Sequence, residues 1–472
     1  MPGRPEVDPE EALEVSVTRY EDFVASKLSR PAPDGLEPVG EPWPRLFPFQ
    51  ADLTRWALRR GRSAIFADTG LGKTGMELTW AREVAGQTGG DVLVLTPLAV
   101  APQVVAEGVL LGVPVSVADR DPGPGVHVLN YDRLHRIDPS AYAGVVLDES
   151  SCLKHQDSST FARLCEAFRD TPYRLAATAT PAPNDWTELG THAEFLGVCT
   201  RAEMLSEFFC HDGGETQDWK LKGHARGAFW RWVSSWAALI KRPSDLGYED
   251  DRYALPPLEV VERVVAGSAV SEGALFVTVA ETLQERRAAR KASIPSRVGA
   301  CVADVNAEPG EPWVIWCDLN AEGDALSAAM PEAVEVRGSD DPDTKEERLA
   351  GFASGKHRIL ISKPSICGWG LNWQHAARMA FVGVTDSWEA YYQAVRRCWR
   401  FGQRRPVRVH VYASEAEGAV TANLARKEAE ATALGAALSA ETRGAVLESV
   451  RGSKPVHLDY SPSVPMEVPS WL

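Results

Sequence analysis

The 472-residue sequence has no long apolar run, few cysteines and no excess of positive charge. No stretch approaches the roughly 20 consecutive apolar residues that a helix needs to cross a bilayer, so we expect no membrane span. The opening MPGRPEVDPEEALEVSV is acidic and lacks the apolar segment of a secretory signal, which predicts a cytoplasmic protein. The formal charge of −15 argues against a uniformly basic coat for nucleic acid, although a local groove on an acidic protein can be basic.

The eight cysteines provide neither a disulfide framework nor a C-x-x-C pair. The sequence offers one weak candidate for a metal site, formed by Cys199, Cys210, His211 and His224. These residues lack the closely spaced ligand pairs of most zinc sites. Reduced thiols in a cytosolic interior are the favoured interpretation. The composition is otherwise ordinary, at 44% hydrophobic and 24% charged residues, and the length suits roughly two to four domains.

Two series of short apolar segments alternate with helical stretches. The first series contains DVLVLTP, GVVLDES and YRLAATATP, and the second contains EVVERVV, PWVIWCDL, HRILISK, RMAFVGV and VRVHVYA. Apolar runs without alternation predict strands that are buried on both faces, as in parallel sheets covered by helices. We therefore predict a lead-in over 1–42, a first α/β domain over 43–257 with a helical insert at 190–255, a second over 258–435, and a C-terminal helix and tail over 436–472.

The run ADTGLGKT, from Ala67 to Thr74, lies between an apolar strand and a helix, which is the setting of a phosphate-binding loop. Gly70 and Gly72 allow the backbone N–H groups to curl around an anion at a helix N-terminus. Lys73 would reach the phosphates and the Thr74 hydroxyl would hold Mg²⁺. An incidental lysine in a glycine-containing turn is the less favoured alternative.

Two adjacent carboxylates, Asp148 and Glu149, end the buried strand of GVVLDES. Charged groups at such a position are costly unless something binds them. Asp148 suits a Mg²⁺ ligand and Glu149 suits the base that orients and deprotonates an attacking water. A solvated acidic turn is the alternative, which the preceding phosphate-binding loop disfavours.

The order of these motifs resembles that of superfamily-two helicases: LFPFQ, ADTGLGKT, VLVLTP, VVLDESSCLKH, ATATPAPN, ILISKPSICGWGLNWQHA and YYQAVRRCWRFGQ. The forms GLGKT, KRPSDLGYEDDRYALPP and RCWRFGQ resemble the Swi/Snf-type DNA-dependent ATPases more than RNA helicases. The similarity spans about Pro44 to Tyr412. It implies an α/β chain of two tandem RecA-like domains, with parallel sheets flanked by helices and a short helical insert between them.

The resemblance also implies roles by position, with ATP and Mg²⁺ as cofactors. The residues implied in nucleotide binding are Gln50 (adenine), Thr69, Gly70, Leu71, Gly72, Lys73, Thr74, Gly370 and Gln393. Those implied in catalysis are Lys73, Asp148, Glu149, Arg397 and Arg400, with Thr74 and Asp148 on the metal. Arg397 and Arg400 would reach the γ-phosphate from the second domain. Thr178, Thr180 and Asn372 would couple the ATP site to nucleic acid.

The sequence departs from the family pattern in its second and third motifs, which read DESS and ATATPAPN. A basic run places Arg404 and Arg405 where they can contact a nucleic-acid backbone, with a solvated charged surface as an equal alternative. Base stacking by Trp369, Trp373 or Trp388 is less favoured than packing. No bromodomain-like, chromodomain-like or nuclease segment is apparent, which predicts a minimal motor.

The sequence thus predicts an ATP hydrolase that tracks duplex DNA without sequence preference. A strand-separating DNA or RNA helicase is the first alternative, and an ATP-binding nucleic-acid module without turnover is the second. We expect a monomer, with proteins of replication, recombination or repair as its possible partners and no membrane contact.

Overall fold

The structure is a computed structural model, and most of the chain between residues 35 and 414 is described. The described ranges are 35–97, 100–119, 123–154, 156–182, 185–211, 219–250, 253–265, 288, 290–367, 372–383, 387–414, 426, 443–444, 446–447 and 450. Gly370 and Trp369 lie outside them, as does almost all of the predicted lead-in and C-terminal tail.

A seven-stranded, fully parallel sheet forms the centre of the first lobe, with the order β3-β4-β2-β5-β6-β1-β9. Its strands are β1 (Arg62–Ala67), β2 (Asp91–Thr96), β3 (Val115–Val117), β4 (Val126–Asn130), β5 (Tyr142–Asp148), β6 (Tyr173–Thr178) and β9 (Ala237–Ile240). The central strands are almost continuously buried, since helices cover both faces. The carboxyl ends of β1, β5 and β6 meet at one edge, where parallel sheets bind ligands.

The helices of the first lobe begin and end at recognisable signals. They are α1 (Pro48–Arg60), α2 (Lys73–Thr88), α3 (Ala101–Leu111), α4 (Ser159–Ala167), α5 (Leu189–Leu196), α6 (Arg201–Phe208) and α7 (Arg226–Trp236). The Ser158 and Thr200 side chains accept hydrogen bonds from the first turns of α4 and α6. Helix α1 starts with Pro48 in its first turn and stops at Gly61, where φ is positive.

The predicted helical insert is only partly helical. Helices α6 and α7 lie within it, and α5 begins at Leu189, directly before it. AALI, however, forms β9 and pairs with β1 instead of extending α7. A short antiparallel hairpin, β7 (Phe209–His211) and β8 (Trp219–Leu221), separates α6 from α7. The fully apolar AALI run gains more from burial in the sheet than from continuing an amphipathic helix.

A second parallel sheet, of six strands in the order β10-β15-β14-β11-β13-β12, forms the other lobe. Its strands are β10 (Leu258–Val265), β11 (Trp313–Trp316), β12 (Val334–Val336), β13 (Ile359–Ser362), β14 (Arg378–Phe381) and β15 (Val407–Ser414). The helices are α8 (Ile294–Ala307), α9 (Asn320–Ala329), α10 (Pro342–Ala353), α11 (Pro364–Cys367) and α12 (Trp388–Val395). The prediction of two RecA-like α/β lobes is therefore confirmed.

Each sheet is covered by one apolar cluster on either face, so each lobe has its own core. Trp80 and Trp230 are among the largest buried side chains of the first lobe, and Trp313, Trp316 and Trp373 of the second. Val446 and Val450, far along the chain, pack into the first lobe's core. Arg443 donates a hydrogen bond to the Ser244 carbonyl at 2.8 Å, so this late segment returns to the first lobe.

Candidate functional site

The loop between β1 and α2 forms a cradle at the carboxyl edge of the first sheet. Gly70 and Gly72 have φ of 91° and 78°, in the left-handed region that other residues adopt only at a cost. Gly72 directly precedes α2, so the N–H groups of the first helical turn face the loop. The Thr69 hydroxyl is buried without a hydrogen-bond partner, and the Lys73 ammonium donates to the Ala67 carbonyl at 3.1 Å. This arrangement fits a phosphate group.

The predicted carboxylates lie at the end of β5, on the same edge as the cradle. Burial, reinforced by the charge of Glu149, raises the pKa of Asp148 to about 7. Glu149 has a φ of 55° and is the one non-glycine residue with positive φ in the described ranges. Such a backbone costs about 1–2 kcal/mol, and strain of this kind collects at functional sites. The Thr178 hydroxyl donates to the Glu149 carboxylate at 3.2 Å.

A third carboxyl that the motifs did not indicate lies beside these two. Glu77, one turn after Lys73 on α2, is only 1% exposed. Both of its carboxylate oxygens lack a hydrogen-bond partner. Burial and the charge of Asp148 hold the pKa of Glu77 well above its usual value.

Arg397 and Arg400 approach these carboxylates from the second lobe, directly after α12. The Arg397 Nε donates to the Gln393 carbonyl at 2.9 Å, and an Nη donates to the Gln393 Oε1 at 3.0 Å. Burial and the charge of Arg400 lower the pKa of Arg397 to about 10, against the opposing charges of Glu149 and Asp148. Burial likewise lowers the pKa of Arg400, opposed by the charges of Glu107, Glu149 and Asp148. Both guanidinium groups therefore lie within the electrostatic range of the first lobe's acidic pair.

An ion pair joins the cradle itself to the second lobe. Arg396 contacts Asp68 at 2.7 Å between Nη2 and Oδ2, and the Tyr392 hydroxyl donates to Asp68 Oδ1 at 2.7 Å. Burial acts to raise the pKa of Asp68, but the charge of Arg396 and the hydrogen bonds from Tyr392, Arg396 and the Thr69 N–H together outweigh it, so the pKa is lowered. The Arg396 guanidinium also lies over the Tyr392 and Trp399 rings, at 5.4 and 5.1 Å.

Thr178 and Thr180, predicted as coupling residues, connect the acidic pair to α12. The Thr180 N–H donates to the Thr178 hydroxyl at 3.2 Å. The Thr180 hydroxyl donates to Glu389 at 3.3 Å and accepts from Gln393 at 3.4 Å. Lys154 forms an ion pair with the same Glu389. A continuous set of hydrogen bonds therefore runs from Glu149 through both threonines to the helix that precedes Arg397.

Gln50 supports the cradle from α1. Its Oε1 accepts from the Phe47 N–H at 2.9 Å, and its Nε2 donates to the Leu71 carbonyl at 2.8 Å. Two aromatic side chains lie near Gln50: Tyr253 and Phe401 stack with ring centroids 4.8 Å apart, and Phe401 also contacts Phe47. A side chain at Gly70 would come within 2.9 Å of the Phe401 backbone nitrogen, so only glycine allows this approach of the second lobe.

A separate cavity of about 640 Å³ lies between the lobes. It is lined by charged residues of both signs and by three amide side chains. These residues include Arg133, Lys345, Asp343, Glu346, Gln103, Asn130 and the predicted coupling residue Asn372. The Asn372 Oδ1 is buried without a hydrogen-bond partner. This mixed lining is not the uniformly basic groove of a protein that binds nucleic acid by charge alone.

The predicted backbone contacts Arg404 and Arg405 lie at the surface, after the arginine pair. Arg405 forms an ion pair with Glu311 at 2.8 Å. Trp373 is fully buried and packs against Trp316 and Phe352, so it is a core residue and not a base-stacking platform. Trp388 stacks on Tyr392, with centroids 4.9 Å apart.

Comparison with known families identifies the second lobe. Residues 301–402, which run from α8 to the end of the arginine segment, match the family model described as the helicase conserved C-terminal domain. The match indicates the C-terminal lobe of a superfamily-two helicase. This helicase domain supports a nucleic-acid motor that hydrolyses ATP. Gln393, Arg397 and Arg400 lie within the matched residues. None of the curated proteins matches the chain.

The described part of the chain contains no helix that is long and apolar enough to span a membrane. In the same part, no three histidine, cysteine or acidic side chains are arranged to hold a metal ion by themselves. Cys199, Cys210 and His224 therefore form no metal cluster within these residues.

Several residues of the site belong to no recognisable motif. Asp68, Tyr392, Arg396 and Glu389 join the lobes through contacts that only the folded chain brings together. Their sequence signal was weak, although Arg396 lies within the basic run. Glu77 had a clearer signal, because an acidic residue one turn after Lys73 lies on the same face of α2.

A buried histidine, His192, contacts the turn that follows the two carboxylates. Its Nε2 pairs with the Ser150 hydroxyl at 3.1 Å, and its ring packs edge-on against Phe66 at 5.1 Å. Burial lowers the pKa of His192 to about 4. The histidine therefore stays neutral and supports the turn that follows Asp148 and Glu149.

This pKa predicts a specific loss of stability in acid. Between pH 6.5 and about 4 the unfolded chain binds a proton at His192 and the native protein does not, so stability falls as the pH falls. The contribution amounts to about 3 kcal/mol. We expect the free energy of unfolding to fall less steeply over this range in His192→Gln, as measured by urea denaturation at several pH values. Parallel profiles for the two proteins would contradict the assignment.

Proposed function

We propose that the protein is an ATP-driven translocase of the Swi/Snf type that tracks duplex DNA without separating its strands. The observation that carries this proposal is the position of Arg397 and Arg400. Both belong to the second lobe, and the charges of Asp148 and Glu149 in the first lobe act on them. Guanidinium groups supplied from an opposite lobe stabilise the charge that grows on a transferring phosphoryl group.

Each group of the cleft has a role in this hydrolysis. Lys73 and the loop N–H groups bind the phosphates, and Glu149 accepts a proton from the attacking water. Mg²⁺, when bound, supplies charge neutralisation at the phosphate oxygens, and Thr74 and Asp148 would hold it. Arg397 and Arg400 compensate negative charge as the terminal bond breaks. The partnerless Thr69 hydroxyl and Glu77 oxygens are consistent with a site that binds a polar, hydrated ligand.

Movement along DNA would follow from the contacts between the lobes. The Asp68–Arg396 pair and the Thr180–Glu389 hydrogen bond connect the phosphate cradle and the coupling segment to α12. A nucleotide that binds closed lobes more tightly than open ones shifts the balance between them, and hydrolysis reverses the shift. If the two lobes alternately bind the DNA backbone tightly and weakly, each cycle of ATP hydrolysis moves the protein one step along the DNA.

The proposal is tested by ATP turnover measured in parallel without nucleic acid and with single-stranded DNA, duplex DNA and RNA. We expect the largest stimulation with duplex DNA and no displacement of a strand from a forked duplex. Lys73→Ala serves as the control for contaminating ATPases. Strand displacement, or stimulation confined to single strands or RNA, would favour the unwinding helicase, and an absence of turnover would favour the silent binding module.

A further inference from the structure

Glu77 is a buried carboxyl for which neither the motifs nor the hydrolysis steps above provide a role. It lies on the face of α2 that carries Lys73 one turn earlier. Its side chain is 1% exposed, and neither carboxylate oxygen has a hydrogen-bond partner. A buried carboxyl without a partner is strongly unfavourable and is retained where it binds something.

Packing does not explain this residue. Most of its buried neighbours on α2 are apolar, namely Met76, Leu78, Trp80, Ala81 and Val84. A methionine or leucine at position 77 would extend this surface without the cost of burying a carboxyl. The charged groups that act on Glu77 are Asp148, Glu149 and Glu107, which repel a carboxylate, and Lys73, which attracts it. Lys73 itself is hydrogen-bonded to the Ala67 carbonyl.

On the first lobe's side of the cleft, the acidic side chains around Glu77 outnumber the basic ones, so a bound cation would be stabilised there. Asp148, Glu149 and Glu77 converge near a single lysine on the first lobe's side of the cleft. Within the described residues, however, no three acidic side chains are placed to bind a metal ion directly. Glu77 is therefore suited to a contact with water bound to the ion, not with the ion itself, which is common for Mg²⁺ because it keeps several waters.

We propose that Glu77 is a positioning residue for Mg²⁺ in the nucleotide site, where its carboxylate accepts hydrogen bonds from the water shell of an ion held by Thr74 and Asp148. This inference rests on the proposed function, since it requires that the cradle binds Mg²⁺ with ATP. It adds a residue from α2 to the metal environment and gives the two partnerless oxygens a ligand. Outer-shell groups of this kind orient the metal and raise its affinity.

The test compares Glu77→Gln with Glu107→Gln. Both changes remove one negative charge that acts on Asp148. Glu107, however, lies on α3 and not on the helix that carries Lys73, and its carboxylate accepts a hydrogen bond from Gln103 at 3.1 Å. Binding of a fluorescent ATP analogue is titrated with MgCl₂, and separately measured in EDTA. We expect the Mg²⁺ concentration at half-saturation to rise about 10–100-fold in Glu77→Gln and far less in Glu107→Gln, with metal-free affinity unchanged in both.

The melting temperature without nucleotide provides a second measurement. Because Glu77 has no partner in the folded protein, Glu77→Gln and Glu77→Met are expected to melt no lower than the native protein. The two variants also guard against a glutamine-specific folding defect. An unchanged Mg²⁺ requirement, an equal shift in Glu107→Gln, or an equal loss in EDTA would overturn the proposal while native nucleotide binding persists. A native protein that binds no Mg²⁺-nucleotide would instead overturn the proposed function, and this inference with it.

Discussion

Replacing Arg400 with alanine is expected to slow ATP turnover by about 10³–10⁵-fold, while nucleotide affinity stays within roughly tenfold of the native value. The guanidinium lies in a buried cleft where the charges of Glu149 and Asp148 act on it from the opposite lobe. A cation in this place acts most strongly when negative charge grows on the phosphoryl group. Its removal therefore affects the transition state more than the bound ground state.

The variant is expected to fold. Burial and the charge of Arg396 together outweigh the favourable charges of Glu107, Glu149 and Asp148 on the Arg400 cation, so alanine removes a charge that the folded protein disfavours. The matched control is Arg358→Ala, which removes a cation paired with Glu332 at 3.5 Å on the surface of the same lobe. Single-turnover kinetics and direct nucleotide binding separate the two effects. Near-native turnover in Arg400→Ala would contradict the assignment of this arginine to catalysis.

The sequence predicted the long strands and the cradle because their signals are local. Continuous apolar runs such as DVLVLT and GVVLD can be buried only between two layers of helices. The glycines and Lys73 of the cradle, and the acids that end β5, are likewise adjacent in sequence. For the same reason the resemblance could assign roles to these positions without knowledge of tertiary contacts.

Short or atypical strands were missed. Strands β3 and β12 have three residues each, which is too short to show a period. Strand β4 contains His127, a polar residue that is buried through hydrogen bonds to Gly123 and Tyr142. Strand β9 continues the apolar pattern of α7 without a break. In each case tertiary burial, and not local preference, decides the structure.

The contacts between the lobes could not be predicted from the sequence because their partners are far apart in it. Tyr392 and Asp68, for example, are 324 residues apart. The spacing of Glu389, Tyr392 and Arg396 still has a simple physical meaning, because residues three and seven positions apart share one face of a helix. This face of α12 meets Thr180 and Asp68, while the segment directly after it carries the two arginines that we propose act in catalysis. The same helix therefore positions the arginines and also contacts the cradle, through Asp68, and the coupling segment, through Thr180.

Glu149→Gln is expected to reduce turnover by about 10²–10⁴-fold with little loss of nucleotide or DNA binding. Glutamine keeps the size of the side chain and an oxygen that can accept the hydrogen bond from Thr178, but it cannot take a proton from water. The strained backbone at Glu149 is also retained, so the change addresses the base alone. Glu166→Gln, on the exposed face of the neighbouring α4, is the matched control and should turn over at the native rate.

Lys73→Ala is expected to lose nucleotide affinity, because it removes the cation that binds the phosphates. The pair of variants thus separates binding from chemistry: one loses affinity, and the other loses the rate of a bound substrate. Rapid-quench measurement of the first turnover at saturating ATP distinguishes them. If Glu149→Gln hydrolyses bound ATP at the native rate, the attacking water is deprotonated elsewhere and the strained turn after β5 serves another purpose.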